Sequence, residues 1–156
     1  MNYWLMKTEP DECSIDDALA ARGGITPWTG VRNYQARNFM RDEMRVGDGV
    51  LFYHSSCPVP GVYGLGKVAS EAYPDPTQFE KKSDYYDPES PKDQPRWHLV
   101  DVAYDRTFAT PVTLDVLKAD PKLDGLLALR KGNRLSITPV EKPHWDRIVA
   151  LGTKAK

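Results

Sequence analysis

Glycine stands at positions 64 and 66 inside an otherwise alternating apolar segment, Val62 to Val68. Glycine within a strand pattern marks a bend, a bulge or a close backbone approach. Such a strand belongs in a curled sheet. Other strand-like runs lie at Tyr3 to Lys7, Val50 to His54, Trp97 to Phe108 and Leu135 to Ile137, the third of these being the longest. Ser14 followed by Asp17 reads as a capping box whose helix stops at Gly23-Gly24, and Asn33 to Met44 reads as a second helix ended by Val46-Gly47-Asp48. In that second helix Tyr34, Phe39, Met40 and Met44 fall mostly on one side. Short helical pieces follow at Leu114 to Leu117 and Gly125 to Leu129, and a closing helix at Trp145 to Leu151 turns Trp145, Ile148, Val149 and Leu151 inward. No regular alternation of strand and helix runs through the chain. The expected class is α+β, a small mixed β-barrel flanked by short helices, in one domain spanning residues 1–156.

The formal net charge is −1 and the isoelectric point is near 6.3, which argues against a protein that grips long nucleic acid chiefly through phosphates. A local basic surface is still available, because Arg32, Arg37, Arg41 and Arg45 lie close together in sequence. Cys13 and Cys57 show no pairing pattern and are expected as reduced thiols in the cytosol. The apolar run at the N-terminus is too short for a signal peptide or a membrane span, so no membrane association is expected.

Residues 27 to 40, PWTGVRNYQARNFM, carry the densest chemical signal. Trp and Tyr offer flat faces for stacking, while Asn, Gln and Arg offer donors and acceptors that match base edges or phosphate. That combination points to a pocket for a planar heterocycle, a nucleobase foremost. Residues 73 to 95 hold five prolines, four aspartates and three tyrosines and read as a long loop of the kind that often carries function.

Several motifs in order resemble the EVE family: YWLMKTEP, W-x-GVRNYQARNFMR, GD-x-VLFYHS, the YDP loop followed by PRWHLVDV, and RLSITPV. The likeness runs from Tyr3 to Leu151. It implies a PUA-like fold related to the PUA, ASCH and YTH domains. It also implies a pocket that reads a modified base in DNA or RNA, with no reaction attached and no cofactor.

The candidate ligand-binding residues are Thr8, Glu9, Trp28, Arg32, Asn33, Tyr34, His54, Ser55, Tyr85, Tyr86, Arg134 and Ser136. By resemblance to YTH domains, Trp28 stands where a cage tryptophan would; its plain alternative is a core tryptophan. Thr8 or Glu9, after the first strand, would read the base edge together with Asn33, a carboxylate being able to accept from an exocyclic amine; otherwise Glu9 is an exposed acid. Arg32 and Arg37 would hold flanking phosphates, with Asn33 and Tyr34 opening the helix beside them; otherwise Asn33 is an N-cap and Arg32 a surface charge. Tyr85 or Tyr86 would close the pocket or else pack on the protein's own surface. Alternation places Arg134 and Ser136 on one strand face and Leu135 on the other, as pocket wall or as closing strand.

His54, with Ser55 beside it at the end of a strand, reads first as structural. The three histidines, His54, His98 and His144, show no metal-ligand spacing, so no metal site is expected. Ser55, Ser56 and Cys57 show no nucleophile motif, and catalytic residues are expected to be none. Two rival readings stand beside the base reader: a small enzyme acting on a nucleoside or nucleotide through His54, and an adaptor that docks a protein through its exposed aromatics.

Overall fold

The computed structural model describes residues 1–8, 22–130 and 135–153. The helix expected from Ser14, together with Glu9, Cys13 and Arg134, lies outside these residues. Six strands form one mixed sheet: β1 (Tyr3–Thr8), β2 (Ile25–Pro27), β3 (Gly49–His54), β4 (Gly61–Val68), β7 (Asp101–Thr113) and β8 (Ile137–Val140). Their spatial order is β2-β7-β4-β3-β1-β8, and β5 (Tyr73–Pro74) pairs with β6 (His98–Leu99) in a separate ribbon. β1 and β3 run parallel and every other pair is antiparallel. The sheet curls into a half-barrel with short helices packed on it, the mixed α+β architecture expected from the sequence.

The glycine pattern produces that curl. Register shifts occur between Val62 and Gly64 and between Leu65 and Gly66 where β4 meets β7. A third lies between Phe52 and Tyr53 where β3 meets β4. A Cβ at Gly66 would stand 2.6 Å from the Ala103 carbonyl oxygen and 2.7 Å from the Phe52 ring, so only glycine lets the strands close up there.

Strand alternation splits the core into two layers. Trp4, Met6, Val50, Phe52 and Ile137 face one cluster with Trp28, Ala36, Met40 and Met44. Leu5, Leu51, Tyr53, Val62 and Leu65 face another with Phe108, Leu117, Leu123, Leu126 and Ile148. Both faces of β3 are therefore buried. A parallel β1–β3 pair needs a long crossover, and it is this crossover that carries Trp28, Arg32 and Tyr34. Its return is fixed by the buried Asp48 carboxylate, which accepts from the Asn2 amide (3.1 Å), the Trp4 indole (3.1 Å) and the Arg45 amide (2.9 Å).

The crossover helix α1 (Tyr34–Asn38) is shorter than expected, because Phe39–Glu43 widens into a single π-type turn. The Met44 amide closes it on the Phe39 carbonyl at 2.8 Å. Met40 and Met44 reach the core as expected, but Tyr34 faces out and is 52% exposed. Val100 interrupts the long strand expected from Trp97 to Phe108: its carbonyl accepts from Trp28 N, while Asp101 N turns to the Ser70 hydroxyl. The last strand begins at Ile137, later than expected; Leu135 and Ser136 precede it. β2 was not apparent in the sequence, since three residues are too few to show a period.

Helix α2 (Leu114–Ala119) is capped by Thr113, and helix α3 (Lys142–Thr153) closes the second layer through His144, Ile148 and Gly152. Trp145, Val149 and Leu151 are partly buried against the same cluster. The Phe108 ring occupies the space a Gly152 side chain would take. Gly66→Ala is expected to lower the unfolding free energy by roughly 1–3 kcal/mol, because backbone rather than a flexible side chain blocks the methyl group. Urea denaturation of the variant against wild type checks this.

Candidate nucleic-acid interface

Register alone brings one group of candidate residues together. Thr8 pairs directly with His54 at the ends of the parallel strands. Ser55 N donates to the Thr8 carbonyl at 2.9 Å, and Lys7 N donates to the Ser136 carbonyl at 2.7 Å. Thr8, His54, Ser55 and Ser136 thus meet at one end of the sheet. His54 is buried and stacks on Tyr63, with ring centroids 4.1 Å apart and planes 19° from parallel. Tyr63 is held in turn by a 2.6 Å hydrogen bond from its hydroxyl to the Val59 carbonyl. Phe52 points to the same face two residues before His54, and Trp28 packs on it at 5.7 Å.

Trp28 is only 7% exposed and belongs to the core layer. The Pro27 and Thr29-Gly30 flanks do form a loop, but the Trp28 amide extends the β2–β7 pairing to the Val100 carbonyl and turns the ring inward. In this conformation Trp28 backs the strand-end group, and its ring is not an open stacking face.

A second group is built around Asp75, whose side chain is fully buried. Its carboxylate accepts from Gly30 N (2.8 Å), Arg32 Nη1 (3.2 Å), Thr77 N (2.8 Å) and the Thr77 hydroxyl (2.6 Å). Arg32 donates further to the Val31 and Tyr85 carbonyls and to Thr77 Oγ1. Those bonds engage all five of its N–H groups. In this conformation the guanidinium has no N–H left over and ties the crossover to the loop of residues 73 to 95. Gly30, at φ 84°, lies against the Tyr85 ring, where a Cβ would come within 2.6 Å. Arg32 also sits over Tyr85 at 5.5 Å. Tyr86 is the more exposed of the two neighbouring tyrosines.

The long loop is ordered by buried polar groups. Gln78 is fully buried and uses its whole amide, donating to the Asp75 and Trp97 carbonyls and accepting from the Ser90 hydroxyl and Trp97 N. The Trp97 indole donates to Asp87 at 2.7 Å, and that bond, ahead of weaker influences, holds the Asp87 carboxyl below the usual range. Tyr34 then stacks on Trp97, with centroids 4.9 Å apart and planes at 24°.

Asn33 caps α1 by accepting from Ala36 N at 3.0 Å, so its side-chain oxygen is already committed. Arg37 lies over the Tyr34 ring at 4.8 Å. His98, between Pro74 and the Arg37–Arg41 side chains, has a depressed pKa, first through burial and then through those two cations. Tyr63 and Trp97 stand outside the candidate set, though each stacks on one of its members; the glycine-bent strand and the PRWHLVDV motif that carry them are the sequence signals for them. Among the described residues, no group of three or more His, Cys, Asp or Glu side chains converges as a metal site.

The chain belongs to the EVE domain family: the family model matches residues 2–151. Thymocyte nuclear protein 1 from Rattus norvegicus is 43% identical over 166 residues, covering 96% of this chain and 73% of that protein. The crystal structure of human THYN1 protein in complex with 5-methylcytosine containing DNA is similar over 100% of both chains, with a TM-score of 0.93 and 39% identity. A crystal structure of a Pseudomonas syringae protein is similar at a TM-score of 0.90 and 46% identity, covering 96% of this chain and 98% of that one.

Replacing Asp75 with Ala leaves Arg32 and the Gly30 amide facing a hole. The variant is expected to lose roughly 3 kcal/mol or more of stability and to expose the 73–95 loop to protease. Urea denaturation and limited proteolysis read the two effects separately.

Proposed function

We propose that the protein is a single-domain, non-catalytic module that binds a modified nucleobase in DNA, 5-methylcytosine being the first candidate. The observation that carries this reading is the likeness over the full chain to a protein crystallised with 5-methylcytosine containing DNA. The strand-end group supplies the chemistry: Thr8, Ser55 and Ser136 offer hydroxyl groups beside buried His54, with Trp28 and Phe52 as apolar backing. Such a site takes a base that has left its stack, so selectivity comes from the pocket, without a long basic surface. Glu9 and Arg134 belong to the proposed site by their place in the sequence, Tyr85 by its seat on Gly30.

RNA carrying the equivalent modification is the second ligand in this reading, distinguished by its 2′-hydroxyl. No helix among the described residues is long and apolar enough to cross a membrane. The free Cys57 thiol supports placement in the cytosol.

The test is fluorescence anisotropy with matched DNA and RNA oligonucleotides that differ only at one cytosine methyl group. Wild type is expected to prefer the methylated DNA. Thr8→Val and Ser55→Ala are each expected to reduce that preference about 2- to 10-fold, the loss of one hydrogen bond. Equal binding of modified and unmodified probes by folded wild type refutes the reading. A preference that survives both substitutions moves the pocket away from the strand ends.

A further inference from the structure

A continuous series of ring and guanidinium contacts runs from the loop of residues 73 to 95 to the crossover helix. Tyr85 seats against Gly30, and Arg32 lies 5.5 Å from its ring and 5.4 Å from that of Trp97. Trp97 is locked through its indole to Asp87 and through both backbone polar groups to Gln78. Tyr34 stacks on Trp97 at 4.9 Å, and Arg37, one helical turn after Tyr34, lies over the Tyr34 ring at 4.8 Å. With Trp97 and Arg37 both against Tyr34, the series ends in a cation held in a fixed place.

The neighbouring arginines differ in what they have left to offer. Arg32 has every N–H engaged. Arg41 is paired with Asp42 through two 2.9 Å bonds. Arg45 turns back on the Asp42 and Met44 carbonyls, and Arg96 lies 3.8 Å from Asp87 and 3.6 Å from Glu89. Arg37 has only neutral acceptors: Nε and Nη2 donate to Asn38 Oδ1, and Nη1 donates to the Arg96 carbonyl. Among the described residues no carboxylate forms an ion pair with it. Burial, and then the Arg41 charge, push its pKa down, as befits a cation without a carboxylate of its own. After burial, the Arg41 and Arg37 charges push the His98 imidazole the same way, so positive potential gathers here. The three bonds fix the Arg37 plane and leave one N–H on each terminal nitrogen, and two donors on one planar cation suit two oxygens of a phosphate.

We infer that Arg37 is a preorganised site for one backbone phosphate of the bound nucleic acid, held through Nη1 and Nη2. The inference rests on the nucleic-acid reading above and adds the contact that sets the strand's register. Because the guanidinium is immobilised before the ligand arrives, the contact costs little side-chain freedom. Phosphate contacts position a strand without reading its sequence. Arg37 therefore contributes affinity and register, while selectivity for the modified base stays with the strand-end pocket.

The experiment uses a DNA duplex with one 5-methylcytosine and a single uncharged methylphosphonate moved one position at a time along the strand. Wild type is expected to lose affinity about tenfold at one position near the modified base, the loss of a charge-assisted hydrogen bond. Arg37→Gln binds the unsubstituted duplex about tenfold more weakly and is indifferent to the methylphosphonate at that position. It also lowers the slope of log affinity against log salt by about 0.9, the release of one counterion. Arg37→Lys keeps the slope but not the affinity, having the charge without the planar fork. The preference for methylated over unmethylated probe is unchanged in both variants. No position dependence in wild type, or equal losses in wild type and Arg37→Gln at every position, overturns the inference. So does inorganic phosphate that binds wild type but not Arg37→Gln while the methylphosphonate scan is flat, since the site then serves a free anion. Failure here with the methyl preference intact leaves the base-reading site standing; loss of the methyl preference with the Arg37 effects intact removes that reading and keeps the phosphate site.

Discussion

The carboxylate of Asp75 is the constraint on which the interface depends. An ionised group with no solvent contact is tolerated only when its lone pairs are filled. Here backbone and side-chain donors from two separate segments fill them: Gly30 and Arg32 from the crossover, Thr77 from the long loop. Because both segments must be in place to satisfy one buried charge, their relative position is fixed to within hydrogen-bond tolerance. The consequences spread outward. Arg32 draws the Tyr85 carbonyl in, Tyr85 seats against Gly30, and the chain from Asp75 to Trp97 folds around Gln78. Trp97 is then in position to support Tyr34. A chain of polar contacts buried in the protein thus ends in an aromatic ring exposed at its surface.

This arrangement explains which parts of the molecule were legible in the sequence. Strand periodicity and the glycines at 64 and 66 are local signals, and the curled mixed sheet follows from them. The N-cap role of Asn33 was equally visible, since the side chain meets an amide three residues away. What stayed hidden depends on partners distant in sequence. Asp75 and Gln78 look like ordinary loop polar residues until the groups that satisfy them arrive from residues 30–32 and 90–97. The direction of Trp28 could not be read from its loop-like neighbours, because the Val100 carbonyl decides it. Thr8 and His54 were each picked from local motifs, but their adjacency follows from a parallel register that only the topology supplies.

The two layers of the core divide the work. The layer under α3 is closed by aliphatic side chains and by the Phe108 ring lodged at Gly152, and it holds the sheet's curvature. The layer under the crossover ends in Trp28, Phe52 and, at its margin, Tyr63 with His54, so its upper edge turns gradually from apolar to polar. A base needs both characters at once, an apolar face to lie against and hydrogen-bonding groups at its rim. β3 provides the transition within one strand, from Phe52 to His54. Such a gradient is easier to build at a strand end than mid-sheet, where every backbone group is already used by a neighbouring strand.

Charge completes the argument. The chain carries 21 Lys and Arg against 22 Asp and Glu, and the arginines nearest the interface are largely consumed by internal acceptors. Arg32 commits its donors to loop architecture, and Arg41 is paired at short range with Asp42. Phosphate contacts supply most sequence-independent affinity for nucleic acid and most of its salt dependence. On the proposed reading, arginines committed to internal acceptors would leave a weaker grip on bulk nucleic acid and let a small pocket decide where the protein stays. Selectivity for one altered base among many unaltered ones requires that balance: a methyl group is worth only about 1 kcal/mol of burial, and a strong uniform phosphate grip would hold the protein on unmodified sequence in proportion to its far greater abundance.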